Sequence, residues 1–211
     1  MNAMWTKTDL DIVETLARRV RLLSVEQVAR VWWPELRSLR VVRRQLRRLR
    51  TAGLVAKAMV NVHPLLDVRA PLVHWTPGED EPDFARIAAR AKDRWRLASI
   101  PKQIFLATKL AANLFGSSAG HLPELTHRDH DLLLGQVYVL YTTTRPTEAT
   151  RWVGQDARPR AGYRIRNPDA CLLGSGGQVI RVIQAAGRYS QKQVETFHEH
   201  CISYGLPYEL W

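Results

Sequence analysis

Leucines and valines alternate with arginines at helical spacing in residues 36–50, LRSLRVVRRQLRRLR. At 100° per residue, Leu39, Val42, Leu46 and Leu49 form one apolar stripe, and Arg40, Arg44, Arg47 and Arg48 fall on the opposite face. Arg43 and Arg50 sit near the edge of the stripe, and Gly53 is placed to stop the helix. Two helices are expected before it. The first runs from about Thr8 to Leu22, with acids in its first turn and arginines in its last, as the helix dipole favours. The second starts at Ser24, which has capping-box spacing to Gln27, and ends near Trp33 because Pro34 disfavours helix in the residue before it. Leu54 to Val62 is rich in β-branched residues and reads as a strand, and Pro71 to Trp75 reads as the strand returning beside it.

Beyond Trp75 the rhythm changes. Thr76 to Pro82 is acidic and rich in chain breakers, and it marks a boundary. Phe84 to Leu97 and Thr108 to Phe115 read as helices, with a flexible loop at 116–120. Residues 127–141 suit a helix, yet Val137 to Thr144 has strong strand propensity, and periodicity leaves the choice open. Strands are expected at Arg151–Val153, Arg164–Arg166, Ala170–Leu173 and Val179–Ala185, with Gly174 to Gly177 as a hairpin turn. An amphipathic helix over Ser190–Ser203 and a short strand over Pro207–Trp211 complete the chain. The pattern divides the chain into residues 1–78, a helical connector over 79–125, and residues 126–211.

Charge sharpens this division. The chain of 211 residues carries a net charge of +11. Thirteen Lys/Arg against five acids place +8 of it within residues 1–57, and from Arg37 to Arg50 there are seven arginines and no acid. An apolar stripe that docks the helix and a guanidinium face with no compensating acids call for an anionic partner. Nucleic acid leads, and an acidic protein is the rival. Nearly half the residues are hydrophobic, enough for a core, and no run of 18 apolar residues predicts a membrane helix. The opening MNAMWTKTD lacks a basic-then-apolar signal pattern, so a cytoplasmic protein is expected. Cys171 and Cys201 are too few for a disulfide framework and read as buried thiols.

Helix, helix, basic helix and β-hairpin follow the order of a winged helix-turn-helix, and VVRRQLRRLRTAGLV resembles the third helix and first wing strand of that family. The resemblance implies that the third helix enters the major groove of double-stranded DNA, with Arg40, Arg43, Arg44, Arg47 and Arg48 as contacts. Gln45 is the helix's only amide, so phosphate contacts should outweigh base reading. Such domains often pair to read two half-sites, which leaves a homodimer open, although no heptad seam is visible. The C-terminal order of helix, three strands, helix and strand resembles the restriction-endonuclease-like fold, with Pro168-Asp169 and the following hairpin at its PD-(D/E)XK motif. The expected fold class is therefore α/β (α+β): an N-terminal winged helix-turn-helix followed by a restriction-endonuclease-like αβββαβ domain. The whole resembles the replication-relaxation family of plasmids and mobile elements, which implies DNA binding in replication or mobilisation.

The nuclease motif can be tested on its chemistry. Cleavage of this type needs two carboxylates to hold Mg²⁺ or Mn²⁺ and a lysine near the attacked phosphate. Asp169 fits the first position, but the acid-X-Lys positions fall on Gln184 and Ala186. An amide binds Mg²⁺ far more weakly than a carboxylate, so the site reads as degraded and no cofactor is expected. The alternative is a metal-dependent nuclease with a rearranged site, with Arg188 or Lys192 as the cation and Asp129 or Asp131 as the second carboxylate. A protein-docking adaptor is a further alternative. His127 and His130, three residues apart beside Asp129 and Asp131, admit a metal site but read better as surface and capping groups. His198 and His200 diverge by about 200° on a helix and do not make a zinc site.

Overall fold

Side-chain hydroxyls start the first two helices. The structure, a computed structural model, describes residues 5–35, 37–64, 68–158 and 167–211. At the head of α1 (Lys7–Arg18) the Thr6 hydroxyl accepts from the Asp9 N–H, and the Asp9 carboxylate accepts from the Thr6 N–H. After β1 (Leu23–Ser24), Ser24 and Gln27 make the same reciprocal pair at the head of α2 (Val25–Trp32), as their spacing predicts. The arginine-rich α3 (Arg40–Thr51) buries Val42, Leu46 and Leu49 completely. Each leucine sealed in this way contributes roughly 1.5–3 kcal/mol. The helix ends at Gly53, whose φ of +73° is the left-handed conformation that glycine adopts without strain.

The next elements are β2 (Val55–Val62), β3 (Val73–Trp75), α4 (Phe84–Asp93) and β4 (Ile100–Ala107). Here the structure corrects the reading of the hairpin. The strand that returns beside β2 is β4, antiparallel over eight residue pairs from Val55↔Ala107 to Val62↔Ile100. β1 pairs on the other side of β4, giving a three-stranded sheet in the order β1-β4-β2. Residues 71–75 go elsewhere because Trp75 finds an aromatic seat in the second half of the molecule. It stacks on Tyr208 and meets His198 edge-on, with ring centroids 5.6 and 4.9 Å apart. Residues 63–99 are thus an excursion from the hairpin rather than the end of a first unit and the start of a connector.

The remaining elements are α5 (Lys109–Leu114), α6 (Arg128–Thr144), α7 (Pro146–Ala149), β5 (Trp152–Gly154), β6 (Ala170–Leu173), β7 (Val179–Gln184), α8 (Gln191–Ser203) and β8 (Tyr208–Leu210). The expected strand at Arg164–Arg166 lies outside the described residues. The second sheet has the order β3-β8-β7-β6-β5. Its one parallel pair, β7 with β8, is joined through α8, as parallel neighbours require a crossover. Phe84, Ile87, Ala88 and Ala91 of α4 join Val194, Phe197 and Cys201 of α8 in one apolar cluster. Cys171 lies in the same cluster, and both cysteines are buried thiols. The chain is therefore a mixed α+β protein with two sheets.

The ambiguous segment at 137–144 is helical. The hydroxyls of Thr143 and Thr144 donate to the carbonyls of Val139 and Leu140, four residues back, at 3.0 and 2.7 Å, so these β-branched residues are accommodated in the last turn. α6 runs through the middle of the molecule. Leu133, Leu134, Val137, Tyr138 and Tyr141 share one core with α1, α2, α3 and three strands of the second sheet. The Gln27 amide donates to the Leu132 carbonyl at 3.0 Å, and the Trp152 indole donates to the Arg19 carbonyl at 2.9 Å. At that seam Gly154 leaves no room for a side chain, since a Cβ there would lie 2.4 Å from the Arg19 carbonyl oxygen.

Candidate functional site

The outward face of α3 is cationic and largely unneutralised. Arg40, Arg43, Arg44, Arg47 and Arg50 are exposed, and among the described residues no carboxylate lies within ion-pair distance of them. Arg43, Arg47 and Arg50 line a groove of about 200 Å³ together with Lys57 of β2 and Gln103 and Phe105 of β4. The hairpin register makes this possible, because Lys57 and Phe105 are cross-strand partners on the side that faces α3. Four cations and one amide around a shallow groove without an acid can hold an anion such as a phosphate.

Arg48 behaves differently from the other arginines. Its guanidinium pairs with Asp9, whose side chain is fully buried, and lies 5.3 Å over the ring of Trp5. Gln45 donates to the other oxygen of the same carboxylate. Asp9 therefore serves α1 as a capping group and α3 as an anchor, and of the expected contact residues it engages Arg48. With Gln45 engaged, arginine supplies all the charge on the exposed face of α3.

The second cluster lies where α6 meets the second sheet. Asp169, at the mouth of β6, accepts from the backbone N–H of Ala185 at 2.8 Å, and the same oxygen lies 2.8 Å from His130 Nε2. His130 Nδ1 lies 3.1 Å from an oxygen of Asp131. Both ring nitrogens thus face carboxylates, which only accept, so both must carry hydrogen and the ring is an imidazolium. Burial works against that charge, but Asp169 and Asp131 outweigh it and push the pKa up to about 10. Arg21 stands behind the cluster, held by Asp156 through two contacts of 2.9 Å. Burial opposes its charge as well, yet Asp156, with Asp131 and Asp169 beyond, holds the guanidinium above its ordinary value.

A cavity of about 350 Å³ opens beside these groups, lined among others by Asp169, Gln184, Tyr189 and Asn167. Gln184 is at the expected end of β7 and buried, donating to the Tyr189 hydroxyl at 3.0 Å. The topology therefore brings Asp169 and Gln184 to one pocket. His130 stands between the two carboxylates where a metal would need them, while Asp131 Oδ2 and Gln184 Oε1 are buried without hydrogen-bond partners. One oxygen of Asp131 and one of Asp169 face a cation of the chain's own, and the second expected acid position holds an amide. Among the described residues no group of three or more His, Cys, Asp or Glu is arranged to hold a metal ion.

The other residues considered for a rearranged site are dispersed. Asp129 accepts from the backbone and ring of His63, at 2.6 and 2.7 Å. Arg188 donates to the Trp95 carbonyl at 3.1 Å, Lys192 is exposed on α8, and His127 is exposed. His198 is buried against the Tyr208 hydroxyl, 2.9 Å away, and Trp75 is a core residue. The role of His130 escaped the sequence reading. Its signal was the neighbouring Asp131, an acid four and seven residues before Gly135 and Tyr138 on the buried face of α6, which demands a cation nearby.

No helix among the described residues is long and apolar enough to cross a membrane. Comparison of the chain with protein-family models, with curated proteins and with solved structures found no match in any of the three.

Proposed function

We propose that the chain is a non-catalytic binding protein for double-stranded DNA, built from a winged helix-turn-helix and a restriction-endonuclease-like domain whose site has lost its chemistry. The groove of Arg43, Arg47, Arg50 and Lys57, free of acids, carries this reading. With β3 and α4 set aside as an excursion, the order α1-β1-α2-α3-β2-β4, with the sheet arranged β1-β4-β2, resembles that of a winged helix and supports the reading. In such a domain α3 lies in the major groove, and Arg40 and Arg44 continue the row of phosphate contacts. Apart from the single-turn α7, the run α6-β5-β6-β7-α8-β8 resembles the αβββαβ order of the nuclease-like fold, and the imidazolium between Asp131 and Asp169 supports loss of cleavage. Replication or mobilisation of a plasmid or similar element is the process that the family resemblance suggests.

The test is fluorescence anisotropy with a labelled duplex. Arg43→Glu/Arg47→Glu is expected to lower affinity by at least a hundredfold at low salt while the protein stays folded, because each substitution replaces an attraction to phosphate with a repulsion. Binding equal to that of the unaltered protein would remove α3 as the contact surface. A plasmid incubated with the protein and Mn²⁺ is expected to stay intact. Cleavage that disappears in Asp169→Ala would establish the nuclease alternative instead.

A further inference from the structure

The excursion at residues 63–99 carries a second cationic surface. Arg86, Arg90 and Arg94 are spaced i, i+4, i+8 along α4 and its C-cap, so they form one row about 12 Å long. The apolar side of the helix, Phe84, Ile87, Ala88 and Ala91, is taken up by α8. Arg86 and Arg90 are exposed and Arg94 is half-buried. Among the described residues no carboxylate lies within ion-pair distance of any of the three, while the nearby Asp93 is taken by Arg96 at 2.7 Å.

The end of this row shows unmet demand for an acceptor. Arg94 Nη1 is buried with no hydrogen-bond partner, and so is the indole N–H of the next residue, Trp95, which is itself only 8% exposed. Two consecutive buried donors without acceptors are unusual in a native structure, because each forfeits its hydrogen bonds to water and gains none in return. Burial, with the like charge of Arg90 added, pulls the Arg94 guanidinium down to about 10, so it remains cationic at neutral pH. A solvated surface row would carry neither feature. The rest of the half-buried Arg94 guanidinium continues the row that Arg86 and Arg90 present to an acceptor-only polyanion.

We infer that the Arg86–Arg90–Arg94 row is a second surface for the phosphate backbone of duplex DNA, separate from α3 and carried by the segment inserted between β2 and β4. The inference rests on the DNA-binding reading of α3. A regular cationic row suits a uniformly charged backbone, with about one negative charge per 1.7 Å of duplex axis, better than it suits the irregular acids of a protein surface.

The experiment is the salt dependence of binding to a duplex of about 40 base pairs, long enough for both surfaces to be engaged. Arg86→Gln/Arg90→Gln/Arg94→Gln is expected to weaken binding about tenfold or more and to flatten the slope of log K against log salt by about 2.7, three contacts at 0.9 each. Arg86→Gln/Arg90→Gln, which touches only exposed side chains, is expected to flatten it by about 1.8 and guards against an effect of misfolding. Unchanged affinity and slope in both variants, while Arg43→Glu/Arg47→Glu abolishes binding, overturns this proposal and leaves the role of α3 intact. Failure of the unaltered protein to bind duplex at low salt overturns both.

Discussion

Replacing His130 with glutamine tests whether the buried cluster is a structural lock. The ring is bonded at 2.8 Å to Asp169 and at 3.1 Å to Asp131, whose side chains are 8% and 1% exposed. Glutamine keeps an N–H donor but removes the charge, which leaves two buried carboxylates facing each other. Removing one partner of a buried ion pair costs about 3–5 kcal/mol. At roughly 2–4 °C per kcal/mol for a protein of this size, the midpoint should fall by roughly 6–20 °C. The pH dependence has a definite sign. The imidazole titrates near 6.5 in the unfolded chain and near 10 in the folded one, so the native state retains a proton that the unfolded state releases. Its stabilisation is therefore complete below pH 6.5 and declines as pH rises toward 10. Urea unfolding of the protein and of His130→Gln at pH 7 and at pH 10 reads both effects. The gap between the two should be wide at pH 7 and narrow at pH 10. A variant within about 1 kcal/mol of the parent at pH 7, or a gap of equal width at both pH values, would refute the lock.

Two further substitutions probe how the modules are joined. Asp9→Ala removes the acceptor of the Thr6 cap together with the partner of Arg48 and Gln45. It should destabilise by about 2 kcal/mol or more in chemical denaturation, against less than 1 if Arg48 is merely solvated. Gly154→Ala places a Cβ against the Arg19 carbonyl, backbone against backbone, and should cost about 1–3 kcal/mol in thermal unfolding. An unchanged midpoint would mean that the seam between α1 and β5 has slack.

The sequence was most legible where side-chain pattern and backbone chemistry agreed. Leu46, Leu49 and Gly53 placed α3 and its end, Ser24 and Gln27 the start of α2, and the Gly174–Gly177 turn the β6–β7 hairpin. The returning strand was misread because Val73-His74-Trp75 and Ile104-Phe105-Leu106 are both short apolar runs, and the choice between them is made by tertiary partners. Trp75 pairs with Tyr208, more than a hundred residues away, and no local signal records that. The ion pair of Arg48 was not legible for a related reason. Its helical angle is outward, but its side chain is long enough to bend back to Asp9, and the 42% exposure of that side chain shows how partial the withdrawal is. Asp169 and Gln184 were found from an ordered motif, whereas His130 enters the pocket from another element, 39 residues away.

The two halves are tied together because the chain between β2 and β4 crosses to the second sheet. A short turn after Val62 would leave β2 and β4 free to move with the basic helix. Instead the chain leaves at His63, which Asp129 of α6 holds at its backbone and ring, and Arg188 lies 3.3 Å from the other ring nitrogen. It then covers an edge of the second sheet as β3, packs α4 on α8, and returns at Ile100. α6 carries Asp129 and His130 in its first turn, so one helix end grips both the hairpin and Asp169 of the second sheet. Asp131, His130 and Asp169 thereby join α6 to the second sheet. The imidazolium fixes the first turn of α6 against the second sheet, and a metal in its place would need both of its carboxylates. The burial of Asp169 and Asp131 follows from that structural duty.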